Sequence, residues 1–193
     1  MDTLLNWCLP ILICISGIAY FYSWNKRKEL EEETASPPVN PYEGMGVNVL
    51  LDKVLRELNC EPQWSDEVKN ALTVTFQGER FTIETQDDSH FILITDAWWH
   101  VASLEDIEQF SLIRQAINTC NQIYPSVNII YTTHKDDKTI GIHTRQSVIF
   151  MWQIPNVKDY LRSRLEASFH QHHNFYHQME ELRQARTKEC KKD

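Results

Sequence analysis

Histidines on the last helical stretch are the first residues of this chain whose types and spacing could do chemistry. His170, His173 and His177 stand at i, i+3 and i+7, on one side of a helix, with His172 one position off. Imidazoles at i and i+4, as at His173 and His177, can share a transition-metal ion. Asn174 and Gln178 are poor further ligands, and Glu180 alone does not complete a tetrahedral set. The spacing is therefore accounted for as one face of an amphipathic helix, with a metal-responsive sensor as the alternative reading. No cofactor is expected.

Other candidate chemistry is thinner. Cys120 falls on the apolar stripe of a helix, where a thiol is inert, and Cys60 comes after a helix end beside Glu61 and Pro62 without a neighbouring base. There is no G-x-S-x-G, no H-E-x-x-H and no glycine loop to cradle phosphate in a chain with only five glycines. No catalytic residue is expected, and the chain reads as a non-enzyme. Asp87-Asp88 and Asp136-Asp137 fit hairpin turns, where Asp bonds nearby amides, better than calcium loops. Trp98 and Trp99 point to opposite faces of a strand, so one enters the core and the other needs cover. Together with Trp152 they are candidates for an exposed apolar patch that binds protein, unless Trp64 covers it.

Composition narrows the partners. A formal net charge of −8, with basic runs only at Lys26–Lys28 and near the end, leaves nothing to lie along a phosphate backbone, so no nucleic acid is expected. Hydrophobic residues at 42% and aromatics at 11% are enough for a packed core. The five cysteines form no C-x-x-C pair and no even framework, which suits free thiols in a reducing compartment.

Thr3 to Trp24 is 22 residues without a charge. As a helix it rises about 33 Å, enough to cross a hydrocarbon core. A cleaved leader would need a basic start and a small-residue exit, whereas this one begins Met-Asp-Thr and leaves through Tyr20, Phe21 and Tyr22. Lys26, Arg27 and Lys28 flank only its C-terminal end, so the positive-inside rule puts the rest of the chain in the cytoplasm, on a single-pass anchor.

The expected organisation is a transmembrane anchor over 1–24, a basic then acidic juxtamembrane linker over 25–46, a domain over 47–185 and a charged tail over 186–193. Within the domain, Val47, Leu50, Leu51, Val54 and Leu58 share a helical face. Strand patterns come next at Leu72–Gln77, Phe81–Thr85 and Phe91–Trp99, the last apolar on both faces and so interior. A capping pattern from Ser103 opens a helix carrying Ile107, Phe110, Ile113, Ile117, Cys120 and Tyr124. Two more strands span Asn128–His134 and Thr139 to about Trp152. A long helix after Pro155-Asn156 carries Leu161, Leu165, Phe169, Tyr176 and Met179. Short connections force antiparallel pairing. The class is α+β, an antiparallel sheet with helices packed on it, in the order α-βββ-α-ββ-α after the transmembrane helix.

That order, with Phe76-Gln77-Gly78-Glu79-Arg80-Phe81 and the strand–helix spacing through Asn118 and Asn121, resembles the YbjN-like family over roughly Val47 to Leu182. The family is named for candidate bacterial sensory transduction regulators, and its fold is similar to that of type III secretion chaperones. The resemblance implies no catalytic residues. It implies a protein-binding regulator or chaperone-like adaptor, with an unidentified protein partner and a homodimer as the default assembly. The N-terminal stretch with its basic flank, not the resemblance, places it at the inner face of a bacterial membrane.

Overall fold

The structure is a computed structural model that describes residues 40–85, 89–134 and 136–189, together with Lys26. The uncharged stretch 3–24, most of the linker, the Asp87-Asp88 pair and residues 190–193 lie outside the described residues. Among the described residues no helix is long and apolar enough to cross a membrane. One compact unit begins at Tyr42.

Its elements run α1 (Val47–Glu57), β1 (Gln63–Trp64), β2 (Ala71–Phe76), β3 (Glu79–Thr85), β4 (Phe91–Ser103), α2 (Ile107–Ile123), β5 (Asn128–His134), β6 (Thr139–Ile149) and α3 (Val157–Glu189). The strands form one antiparallel sheet in the order β1-β2-β3-β4-β6-β5. The α+β class and the antiparallel pairing are as read from the sequence. The element order needs one correction, because Gln63-Trp64 adds a short strand against Leu72 and Thr73. Two residues are too few to display an alternation, and Trp64 is in any case held on α1, its indole donating to Asp52 at 3.2 Å.

Period-two patterning decides which face is buried. Leu72, Val74 and Phe76 on β2, Phe81 and Ile83 on β3, and Ile92 and Ile94 on β4 all point to the side where the helices lie. Their neighbours Thr75 and Glu84 are exposed. Gln77 (φ +50°) and Gly78 (φ +91°) make the two-residue turn between β2 and β3, the conformation that matches the strand twist. β4 is interior in the sheet, as expected from its apolar character. Among the described residues only one of its faces is covered, however, since α1, α2 and α3 share a single side.

Two apolar clusters fill the space under the helices. The first joins α1 to β2, β3, the start of β4 and the start of α3 through Leu161 and Leu165. The second joins α2 to β5, β6, the end of β4 and the later half of α3 through Phe175 and Met179. The helix stripes differ in detail from the sequence reading. On α3, Phe175 is fully buried and Tyr176 is exposed. On α2, Asp106 caps the N-terminus by accepting from the Gln109 N–H at 2.8 Å, and Ile107 before the first buried turn is left in solvent.

This layout separates two apolar residues that sequence alone would rank together. Phe81 is sealed under the Phe169 ring, edge-on at 5.8 Å, whereas Ile107 touches little. Phe81→Ala is expected to lower the unfolding free energy by about 3–5 kcal/mol, and Ile107→Ala by less than about 0.5 kcal/mol. Urea denaturation monitored by tryptophan fluorescence checks both.

Candidate functional site

A break in the β4–β6 ladder organises the chemistry-bearing side chains. Asp96 pairs with Thr144 and His100 with Ile142, so Ala97, Trp98 and Trp99 together face the single residue His143. Trp98 takes φ +63°, which a bulky residue seldom adopts. The bulge throws Trp98 to the uncovered face of the sheet and Trp99 to the helix side.

On the uncovered face, the Trp98 indole lies flat over Gly141, so close that a Cβ at that position would collide with the ring. Its edge meets His134 at 4.7 Å and His143 at 5.2 Å between centroids. The Trp98 backbone N–H donates to His143 Nδ1 at 3.0 Å, which leaves Nε2 to donate to the Thr132 hydroxyl at 2.8 Å. Burial, and then the neighbouring His134, hold the His143 pKa below its ordinary value, which suits a neutral ring in this role. Trp98 remains 43% exposed. Val101 beyond it is exposed as well, and at the other end of the same face the cross-strand pair Phe91 and Ile149 is 50% and 44% exposed.

On the helix side lies a polar seam between the two apolar clusters. Asp96, Thr144 and Gln146 rise from the sheet, and Ser168, Gln171 and His172 descend from α3. Some of these groups are satisfied. Gln146 Nε2 donates to the Arg164 carbonyl at 2.6 Å, and Gln171 Nε2 to the Val127 carbonyl at 2.9 Å. Others are not. Asp96 Oδ2 and His172 Nε2 stand 3.3 Å apart without the alignment of a hydrogen bond, and neither has another partner among the described residues. Among the same residues Thr144 Oγ1, Trp99 Nε1 and His100 Nε2 are also buried without partners.

Burial sets the protonation of this pair. Asp96 is 1% exposed. Desolvation, then the charge of Glu79, pushes its pKa up to about 7, and desolvation lowers that of His172 to about 4. Both side chains are therefore neutral through mildly acidic pH, and the contact is not an ion pair. Trp99 closes the site by stacking on His172 at 4.1 Å and meeting Phe175 edge-on at 5.2 Å. His100 Nδ1 lies 3.3 Å from the Tyr176 hydroxyl at the outer end of the seam.

The residues singled out in the sequence fall in scattered places. His170, His173 and His177 all project from α3 into solvent, and His177 Nδ1 lies 3.7 Å from Glu181. They do not converge, and among the described residues no group of three or more His, Cys, Asp or Glu side chains could hold a metal ion. A helix carries its rows along the surface but does not bend them together, and among the described residues nothing opposite this face supplies the missing ligands. The histidine that does turn inward is His172. The three tryptophans occupy three separate places, with Trp98 on the open face, Trp99 on the second cluster and Trp152 against the first. Cys60 and Cys120 are buried free thiols whose pKa values burial raises, that of Cys120 to about 11, so neither is poised as a nucleophile. Asp136 and Asp137 sit exposed in the turn before β6.

No protein-family model matches the chain, and no curated protein does. Among solved structures the chain is similar to YbjN, a candidate transcription regulator from E. coli, at 15% identity over 73% of this chain and 94% of that one, with a TM-score of 0.47. It is similar also to a chain of the HopA1–SchA chaperone–effector complex, at 15% identity over 78% of this chain and 99% of that one, with a TM-score of 0.38. At these values neither neighbour bears on what this chain does.

The seam makes a pH prediction with a definite sign. From about pH 4 to 6.5 the unfolded chain holds one proton on His172 and none on Asp96, whose ordinary values are 6.5 and 3.8. The folded chain holds one proton on Asp96 and none on His172. Folding thus relocates a proton without net uptake, and the pair leaves little trace on stability against pH. Asp96→Asn isolates the lowered His172, so stability should fall as pH drops from about 6.5 to 4. His172→Gln isolates the raised Asp96, so stability should fall as pH rises from about 4 to 7. Slopes of up to about 1 kcal/mol per pH unit are expected. Urea midpoints across this range should tilt in opposite directions for the two variants, and parallel slopes would refute a neutral pair.

Proposed function

We propose that the chain is a non-catalytic protein-binding module, a regulator or chaperone-like adaptor, held at the inner face of a bacterial membrane by residues 3–24. The observation that carries this reading is the uncovered sheet face on which Trp98 is pinned outward. Its positive φ costs about 1–3 kcal/mol, and the surrounding contacts with Gly141, His134 and His143 maintain it. A rigid, half-exposed indole loses little entropy on binding, which is the character of an interface anchor. Val101, Phe91 and Ile149 extend apolar surface along the same face.

The groups with the best claim to catalysis are not poised for it. Both described thiols are buried with raised pKa values, and Asp96 and His172 are held beneath Trp99. The membrane placement is supported by the uncharged stretch from Thr3 to Trp24 and by Lys26, Arg27 and Lys28 behind it.

Two experiments test this reading. In native membranes, cross-linking with the full-length chain should capture a protein that is lost with Trp98→Ala and with Phe91→Lys, while neither variant melts more than about 4 °C lower. Capture unaffected by both substitutions would overturn the open face as the interface. Fractionation should leave the full-length chain in the membrane pellet until detergent is added, and recovery in the soluble phase would overturn the anchor.

A further inference from the structure

β5 is an edge strand, and no described strand pairs with its free side. Ile129 engages the Asn121 side chain with both its N–H and its C=O, at 2.8 and 2.9 Å. Ile129 therefore turns its peptide groups away from β6, and by strand alternation so do Tyr131 and Thr133. At Ile129 the Asn121 carboxamide makes the two bonds that a further strand would make. At Tyr131 and Thr133 the equivalent N–H and C=O groups have no partner among the described residues. Both residues are exposed, and β5 contains no proline and no charged residue of the kind that guards an edge.

α2 packs against this edge. Phe110 stands edge-on to Tyr131 at 5.7 Å, and the Arg114 guanidinium lies over the Phe110 ring at 5.9 Å. Phe110 and Arg114, with Ile107, which is 78% exposed, and Asn118, line a cavity of about 250 Å³ along α2. Among the described residues no carboxylate pairs with Arg114.

We propose that an extended segment of a partner protein adds to β5 as a further strand. It bonds the free backbone groups of Tyr131 and Thr133, sets an apolar side chain on Phe110 and Tyr131, and brings a carboxylate to Arg114. Asn121 closes the Ile129 end and so fixes where pairing begins. The occupant is a bare strand, not a second copy of this chain. Each copy would bring its own α2, whose Phe110 and Asn121 sit on its own β5. Paired strands lie about 4.8 Å apart, whereas helix axes need about 8–10 Å. This surface is separate from the open face around Trp98, although both serve the same protein-binding role.

Short random peptides displayed on phage and panned against the full-length chain provide the probe. Recovered sequences should alternate apolar and polar residues around an Asp or Glu. Thr133→Pro removes the outward N–H and leaves the bonds to β6 intact, so it should weaken a synthetic copy of the best peptide roughly tenfold or more. Arg114→Glu should weaken it too, and exchanging the peptide's acid for Lys should restore binding. Trp98→Ala should leave it unchanged, which keeps this test distinct from that of the open face. If Thr133→Pro does not fold, the charge exchange at Arg114 decides. The proposal is overturned if no peptide is recovered, if binding ignores the Thr133 and Arg114 changes, or if it is lost with Trp98→Ala. It is overturned equally if sedimentation finds a dimer that Thr133→Pro abolishes.

Discussion

At 1.5 Å per residue, α3 runs about 50 Å, and both apolar clusters close against it. A twisted sheet does not present one continuous apolar ridge to a straight helix of that length. The contact is apolar at its two ends and polar where the helix passes over the middle of β4 and β6. Burial at the ends is what allows the middle to hold Asp96, Thr144 and His172 without full hydrogen bonding, at a penalty that an isolated small core would not tolerate.

The bulge in β4 arises from the same geometry. Before it, β4 serves the first cluster through Ile92 and Ile94, and after it the second through Ala102. The extra residues reset the strand as it passes from one cluster to the other, and they project an indole on each side of the sheet. Trp99 plugs the seam from the helix side, and Trp98 clamps Gly141 and His143 from the other. Each side of the bulge thus braces the other.

Much of the fold is legible in the sequence because it rests on local periodicity. The alternations Leu72-Val74-Phe76 and Phe81-Ile83 predict their strands and their buried face without further information. Simple alternation also predicts the opposite directions of Trp98 and Trp99, but the structure reaches them through a bulge that no local pattern announces. On α3 the sequence stripe runs through Tyr176 and the structure buries Phe175, because the polar seam interrupts the apolar rhythm and the register is easily lost across it. The Asp96–His172 contact joins distant parts of the chain, and His172 stands in sequence beside histidines that face solvent. Helical spacing sets it one position off their row, but nothing local shows that it faces the sheet. The pairing of Asn121 with Ile129 is hidden for the same reason, since an asparagine near a helix end is ordinarily a solvated residue.

The split between the two clusters has a consequence for how the protein is made. β4 pairs with β6 and not with β5, so the middle of the sheet waits for a strand that is translated after a whole helix and another strand. The first cluster waits longer still, since Leu161 and Leu165 are its last members to leave the ribosome. Through most of synthesis the apolar side of the β2–β3 hairpin has only α1 to shelter it. A nascent chain stalled before Val157 would leave both clusters without their lid, and that interval is when this protein is most exposed to mispairing with its neighbours.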